Sequence, residues 1–210
     1  NPLNFVAPTE FVELPSRGLG YPKGHPLHEQ ETIEIKFMTA KEEDILTSQA
    51  LLKKGIAIDR FLQNILVDKT ISIDDLIIGD KNAILVAARG SGYGYDYETS
   101  VICPQCGAKN NLIFDLRDPK VVGGLVENQD IVTKINDGTY STTMPFSKFT
   151  VQFRIMTGAD EKVLAQEIDK ASKESETNLL TGQFKRLITS IEGHTEQHVI
   201  DQYVDNMPTI

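Results

Sequence analysis

The sequence predicts an α+β fold made of two related strand–helix units, the first ending in a Cys-x-x-Cys β-hairpin and the second incomplete. Three observations carry that prediction. The same strand-to-helix junction occurs twice without a gap. One knuckle, Cys103-Pro104-Gln105-Cys106-Gly107, separates two β-like runs. Pro and Gly crowd the first 31 residues, which precede the first periodic segment.

Residues 1–31 form a Pro/Gly-rich arm or loop. Between Leu14 and Leu27 stand Pro15, Pro22 and Pro26 with Gly18, Gly20 and Gly24, a composition incompatible with a helix or a central strand. Such a segment is either an ordered loop or an arm awaiting a partner. It has few conformations to lose and can dock by extended pairing, so Pro15, Arg17, Tyr21, Pro22, Lys23, His25 and Pro26 are the candidate partner contacts.

Thr32 to Phe37 alternates as a strand, with Ile33, Ile35 and Phe37 on one face and Glu34 and Lys36 on the other. Thr39 caps a helix and Glu42, three residues on, completes a capping box. That helix carries Ile45, Leu46, Leu51 and Leu52 and is expected to end near Gly55. A second helix carries Ile58, Phe61, Leu62, Ile65 and Leu66. Ser72 to Ile78 makes a helical turn, and Asp80 is expected to cap a third helix over Lys81–Arg89. Gly90-Ser91-Gly92-Tyr93-Gly94 follows a helix and precedes none, so it reads as a C-cap and turn, not a phosphate loop. The cysteine hairpin runs out over Tyr97–Ile102 and back over Asn111–Leu116.

From Val151 to Leu164 the chain aligns on Ile33 to Leu46 at an offset of 118 residues, with Met38/Met156, Thr39/Thr157, Glu43/Glu161 and Leu46/Leu164 identical. Ile200–Val204 likewise resembles Ile73–Ile77. The expected organisation is therefore an arm or loop over 1–31, a first repeat over 32–120 with the knuckle hairpin, and a second repeat over 121–210 without its last helix and hairpin. The chain opens on Asn1 instead of Met, so its true beginning is expected upstream.

Composition narrows the function classes. A net charge of −9 disfavours nonspecific nucleic-acid binding, which depends on Lys and Arg neutralising phosphates, and disfavours an anionic membrane surface. No run of about 18 apolar residues is present to span a bilayer. Two cysteines this close make a poor disulfide framework and read as a reduced, intracellular pair. Neither a nucleophile-elbow, zincin nor P-loop signature occurs, and Glu42, Glu43 and Asp44 suit the helix dipole, so the expectation is a non-enzyme.

Cys103 and Cys106 read either as half of a structural zinc site, which takes four ligands while the chain has these two cysteines, or as a turn alone. The set would be completed by a second knuckle, which the repeat offset places near positions ~230 and ~233, by His25, His28, His194 or His198, or by a dimer sharing two knuckles. Without zinc, the knuckle is a turn held by backbone bonds.

Leu14-Pro15-Ser16-Arg17-Gly18, Tyr21 through Leu27, Ile33 through Leu46, Leu51 through Gly55, Leu76 through Ala83 and the Cys-Pro-x-Cys-Gly hairpin together resemble the baseplate hub and hub-assembly proteins of T-even-type myophages. The resemblance is densest over residues 11–116. It implies a non-enzymatic hub component or chaperone-like hub-assembly factor that binds other phage baseplate hub or tail proteins, with a homo-oligomer also compatible. It implies the host cytoplasm during assembly, or the virion tail baseplate, as its place, and a second Cys-Pro-x-Cys-Gly hairpin as the usual ending of members. The competing expectation is a zinc-ribbon adaptor in a regulatory or nucleic-acid-processing complex, motivated by the knuckle and opposed by the charge.

Overall fold

The alternation at Ile33 and Ile35 finds its pairing partner upstream, in a strand that local pattern did not mark. In the computed structural model, which describes residues 6–117, 119, 131–136, 138–170 and 179–208, strand β1 (Thr9–Glu13) pairs antiparallel with β2 (Thr32–Lys36), Val12 opposite Ile33. Pairing in this register turns Val12, Ile33 and Ile35 into the core and Phe11 out to solvent. The Pro/Gly segment between the strands takes the ordered-loop form. Leu14, Tyr21 and Leu27 are buried with Ile33 and Ile35 in the larger of two apolar cores. Gly18 sits at a turn with φ 71°, where a Cβ would stand 2.4 Å from the Gln30 backbone nitrogen.

The Thr39 capping box is present as expected: the Thr39 N–H donates to Glu42 Oε2 at 3.0 Å ahead of α1 (Ala40–Thr47). The single helix expected as far as Gly55 is two, because Ser48 is extended (φ −66°, ψ 107°) between α1 and α2 (Gln49–Lys53). Its carbonyl then accepts from Leu51 and Leu52, restarting the helix. Helix α3 (Ala57–Ile65) buries Phe61, Leu62 and Ile65, and a 3₁₀ turn (Ile73–Asp75) is capped by the Ser72 hydroxyl.

Helix α4 (Ile78–Tyr93) corrects two expectations. It begins two residues before Asp80, so Asp80 lies in its first turn and is not the cap. It also continues through Gly90, Ser91 and Gly92, and the residue that ends it is Gly94 at φ 89°. The first two glycines are there for space. A Cβ on Gly90 would lie 2.5 Å from the Tyr95 ring, and one on Gly92 would lie 2.9 Å from Met38 Cε. Close packing outweighs the cost of about 1 kcal/mol that a glycine imposes inside a helix. Strands β3 (Asp96–Ile102) and β4 (Lys109–Asp115) then form the expected hairpin.

In the second half β5 (Val132–Asn136), β6 (Thr139–Thr143), β7 (Thr150–Arg154) and β8 (Ile188–Ile191) make an antiparallel sheet in that order. Helices α5 (Gly158–Lys170), α6 (Leu179–Leu187) and α7 (Gln197–Asp205) complete it. The stretch aligned on Ile33–Leu46 is again a strand followed by a helix. Thr157 donates from its N–H and hydroxyl to Asp160 at 3.0 and 3.1 Å, and Asp160 occupies the register of Glu42. The expected boundary at 120/121, with residues 121–130, lies outside the described residues.

The two halves meet along a backbone seam. Ile78 N–H donates to the Met156 carbonyl at 3.0 Å and Gly158 N–H to the Leu76 carbonyl at 2.9 Å, while Tyr140 hydroxyl reaches the Leu19 carbonyl at 3.2 Å. Beside the seam Lys81 bridges Asp59 (2.9 Å) and Glu161 (2.7 Å), and Lys162 bridges Asp59 (3.0 Å) and Asp74. Burial alone would lower the Lys81 ammonium, but its hydrogen bonds and charge contact with Glu161 and Asp59 outweigh that and raise it.

Candidate protein-docking site

The residues singled out in the first loop separate into anchors and displayed groups. Tyr21 is 1% exposed and is an anchor: its hydroxyl donates to Asp80 at 2.8 Å and accepts from the Ile77 N–H at 3.2 Å. Asp80, 0% exposed, also accepts from the Ser16 N–H (2.9 Å) and the Ser16 hydroxyl (2.6 Å). Three donors from the loop thus converge on one carboxylate of α4. Burial first, then the charge and hydrogen bond of Asp80, push the Tyr21 phenol far above its ordinary range, so it remains a donor.

Arg17, Pro22, Lys23 and Pro26 are exposed, and Pro15 and His25 are half-buried. The His25 ring stacks on Tyr21 with centroids 4.5 Å apart, and its Nδ1 accepts from the Leu27 N–H at 3.1 Å. Burial lowers its pKa, with the charge of Asp75 opposing. His28 Nδ1 contacts the Tyr21 carbonyl at 2.8 Å. The loop is therefore a fixed scaffold that presents two cations and two prolines, and Gly20, Tyr21, Pro22 and His25 form one wall of a cavity of about 470 Å³ at the seam. Asp75, Ile77, Gly138, Arg154, Ile155 and Thr157 form the rest.

Arg154, on the far wall, is held by Asp160 through two hydrogen bonds of 2.5 and 2.7 Å. Burial alone would raise the Asp160 carboxyl; the Arg154 guanidinium and the Thr157 N–H and hydroxyl outweigh it and hold it at about 2. A folded value below the unfolded one means that the stabilisation is complete above the ordinary carboxylate range, near ~4, and is lost as pH falls through about 2. Asp160→Asn is accordingly expected to unfold more easily than the parent at pH 7, with the gap closing by pH 2 in urea titrations. A gap of constant size down to pH 2 would show that ionisation of Asp160 contributes nothing.

Cys103 and Cys106 sit at the tip of the β3–β4 hairpin, the first half-buried and the second exposed. The knuckle is closed by Cys103 N–H to the Ala108 carbonyl and Gly107 N–H to the Cys103 carbonyl, both 2.9 Å, with Gly107 at φ 69°. The backbone N–H groups of Cys106 and Gln105 lower the Cys103 thiol, with a smaller contribution from the Cys106 side chain. Among the described residues no group of three or more His, Cys, Asp or Glu side chains gathers where it would hold a metal. Among the described residues the knuckle stands as a pair. His194 lies in a turn beside Glu196, and His198 lies on α7.

Sequence reasoning missed the Asp80 node and the Lys81 cluster. The signal that pointed toward them was two adjacent charges, Asp80-Lys81, at the head of a very apolar helix. Both are buried, and each is matched by partners far away in sequence.

Residues 10–210 match the family model described as T4 bacteriophage base plate protein. The chain belongs to that family. No curated protein and no solved structure matches it. No helix among the described residues is long and apolar enough to cross a membrane.

Proposed function

We propose that this base plate protein is a non-enzymatic component or assembly factor of the baseplate hub, acting by binding other hub or tail proteins. It works in the host cytoplasm while the tail is built, at or within the growing baseplate. Hub placement and a chaperone-like role rest on the resemblance of the loop and of the first strand–helix unit to hub proteins. The two matching strand–helix junctions are read as a duplicated unit, which gives the protein two similar blocks across which to template a partner.

The observation that carries the reading is the anchored loop. A chain of net charge −9 holds Arg17 and Lys23 outward, with Pro22 and Pro26, on a segment fixed by Asp80. A rigid, displayed segment binds without the ordering cost of a flexible one, and its cations favour an acidic partner surface. The zinc-ribbon adaptor has only the knuckle in its favour and is set aside.

Tagged protein is expected to retain at least one hub protein from lysates of phage-infected cells. The double variant Arg17→Glu/Lys23→Glu is expected to keep its melting temperature and to lose about tenfold in retention. A nonsense codon early in the gene should leave infected cells without complete baseplates. Normal baseplates in that infection would refute the assembly role.

A further inference from the structure

Among the described residues, the hairpin that carries Cys103 and Cys106 meets the rest of the protein at its base. There Arg89 Nη1 donates to the Gly94 carbonyl at 2.8 Å and Leu116 N–H to the Tyr95 carbonyl at 2.9 Å. Beyond that base every strand residue except Thr99 is exposed. A two-stranded hairpin is at best marginally stable in water, so one this exposed calls for further support at its tip or face.

Opposed residues share a face, which sorts the side chains without ambiguity. Tyr97 faces Phe114, Thr99 faces Leu112 and Val101 faces Asn110, giving one largely apolar face with no charged strand residue; the Arg89 guanidinium lies 5.8 Å from the Tyr97 ring centroid at its base end. The other mixes Ile102 and Ile113 with Asp96, Glu98, Lys109 and Asp115. Two copies meeting on that second face would have to bury its four charged side chains; two copies meeting on the first would not.

The knuckle asks for the same partner. It offers two thiol ligands at one point, whereas a structural zinc site needs four, and the described residues bring no third. A second copy supplies an identical pair, and a two-fold axis through the metal makes the arrangement close on itself.

We propose that two copies of this chain share one zinc ion, each contributing Cys103 and Cys106, with the Tyr97–Leu112–Phe114 faces of the two hairpins packed together about the axis. On binding, four thiols become four metal-bound thiolates and four protons pass to solvent. No electron is transferred, so no oxidant or reductant is required. This self-association is independent of which hub protein the loop binds, and its test uses the purified chain alone.

The protein, produced with zinc and kept reduced, is analysed for metal content and for mass by light scattering. The expected result is one zinc per two chains in a dimer. Cys103→Ser and Cys106→Ser should each abolish both metal and dimer while leaving the helical signal in far-ultraviolet circular dichroism unchanged. Cobalt(II) in place of zinc should give the intense visible absorption of a tetrahedral thiolate site at half an equivalent per chain. Leu112→Glu keeps all four ligands but sets two carboxylates face to face, and should weaken zinc retention at least tenfold. One zinc per chain in a monomer, a metal-free monomer, or a dimer that survives both chelator and Cys103→Ser would each overturn the proposal.

Discussion

Asp80→Ala is expected to lower the unfolding free energy by about 3–5 kcal/mol, measured by urea denaturation at neutral pH. The carboxylate is fully buried and accepts from the Ser16 N–H, the Ser16 hydroxyl and the Tyr21 hydroxyl. Alanine leaves all three donors without that acceptor in a place water does not reach, and each such loss costs about 1–3 kcal/mol. Tyr21 keeps one bond, from the Ile77 N–H, so the damage is concentrated on the loop from Leu14 to Gln30. Trypsin should then cut after Arg17 and Lys23, both displayed by that loop, much faster than in the parent. Asp80→Asn retains one acceptor oxygen and the side-chain volume, and should fall between the two. A loss under about 1 kcal/mol, or an unchanged cleavage rate, would mean that the loop is held by Leu14, Tyr21 and Leu27 packing alone.

The Asp80 node is not written in the local sequence. Strand β2, the Thr39 and Thr157 helix starts, α3 and the cysteine hairpin were legible because each is written in local terms: alternation, a cap with an acid three residues on, a 3.6-residue stripe, a turn between two strand runs. The Ser16–Asp80 bond spans 64 residues and leaves no periodic trace. The same holds for Lys81 with Glu161, 80 residues apart. Strand β1 is not legible in the sequence because it is short and sends Phe11 outward, so its alternation does not announce a buried face. Gly90 and Gly92 gave a local stop signal that packing against Tyr95 and Met38 overrode. The candidate docking residues share one loop, but the division into anchors and displayed groups depends on Asp80, which reads locally as a helix cap.

Gly158→Ala poses the corresponding question for the seam between the halves, and its sign discriminates between two physical accounts. The residue opens α5, where helix propensity alone predicts that alanine stabilises by up to about 1 kcal/mol. Ala40 occupies the same register in α1, so a glycine is not needed to start this kind of helix. Packing predicts the opposite. A Cβ on Gly158 would lie 2.4 Å from the Ile73 carbonyl oxygen and 3.4 Å from Asp74 Cα, which are backbone atoms of the 3₁₀ turn and have no rotamer to change. Relief requires the turn and α5 to separate, which strains the Gly158–Leu76 and Ile78–Met156 hydrogen bonds and spreads the Lys162–Asp74 pair. We therefore expect a loss of about 2–3 kcal/mol for Gly158→Ala and a loss within about 1 kcal/mol for the control Ala40→Gly. A stabilised Gly158→Ala protein would show that the halves yield easily at this point, and that the seam is held by its side-chain ion pairs more than by close approach of backbone.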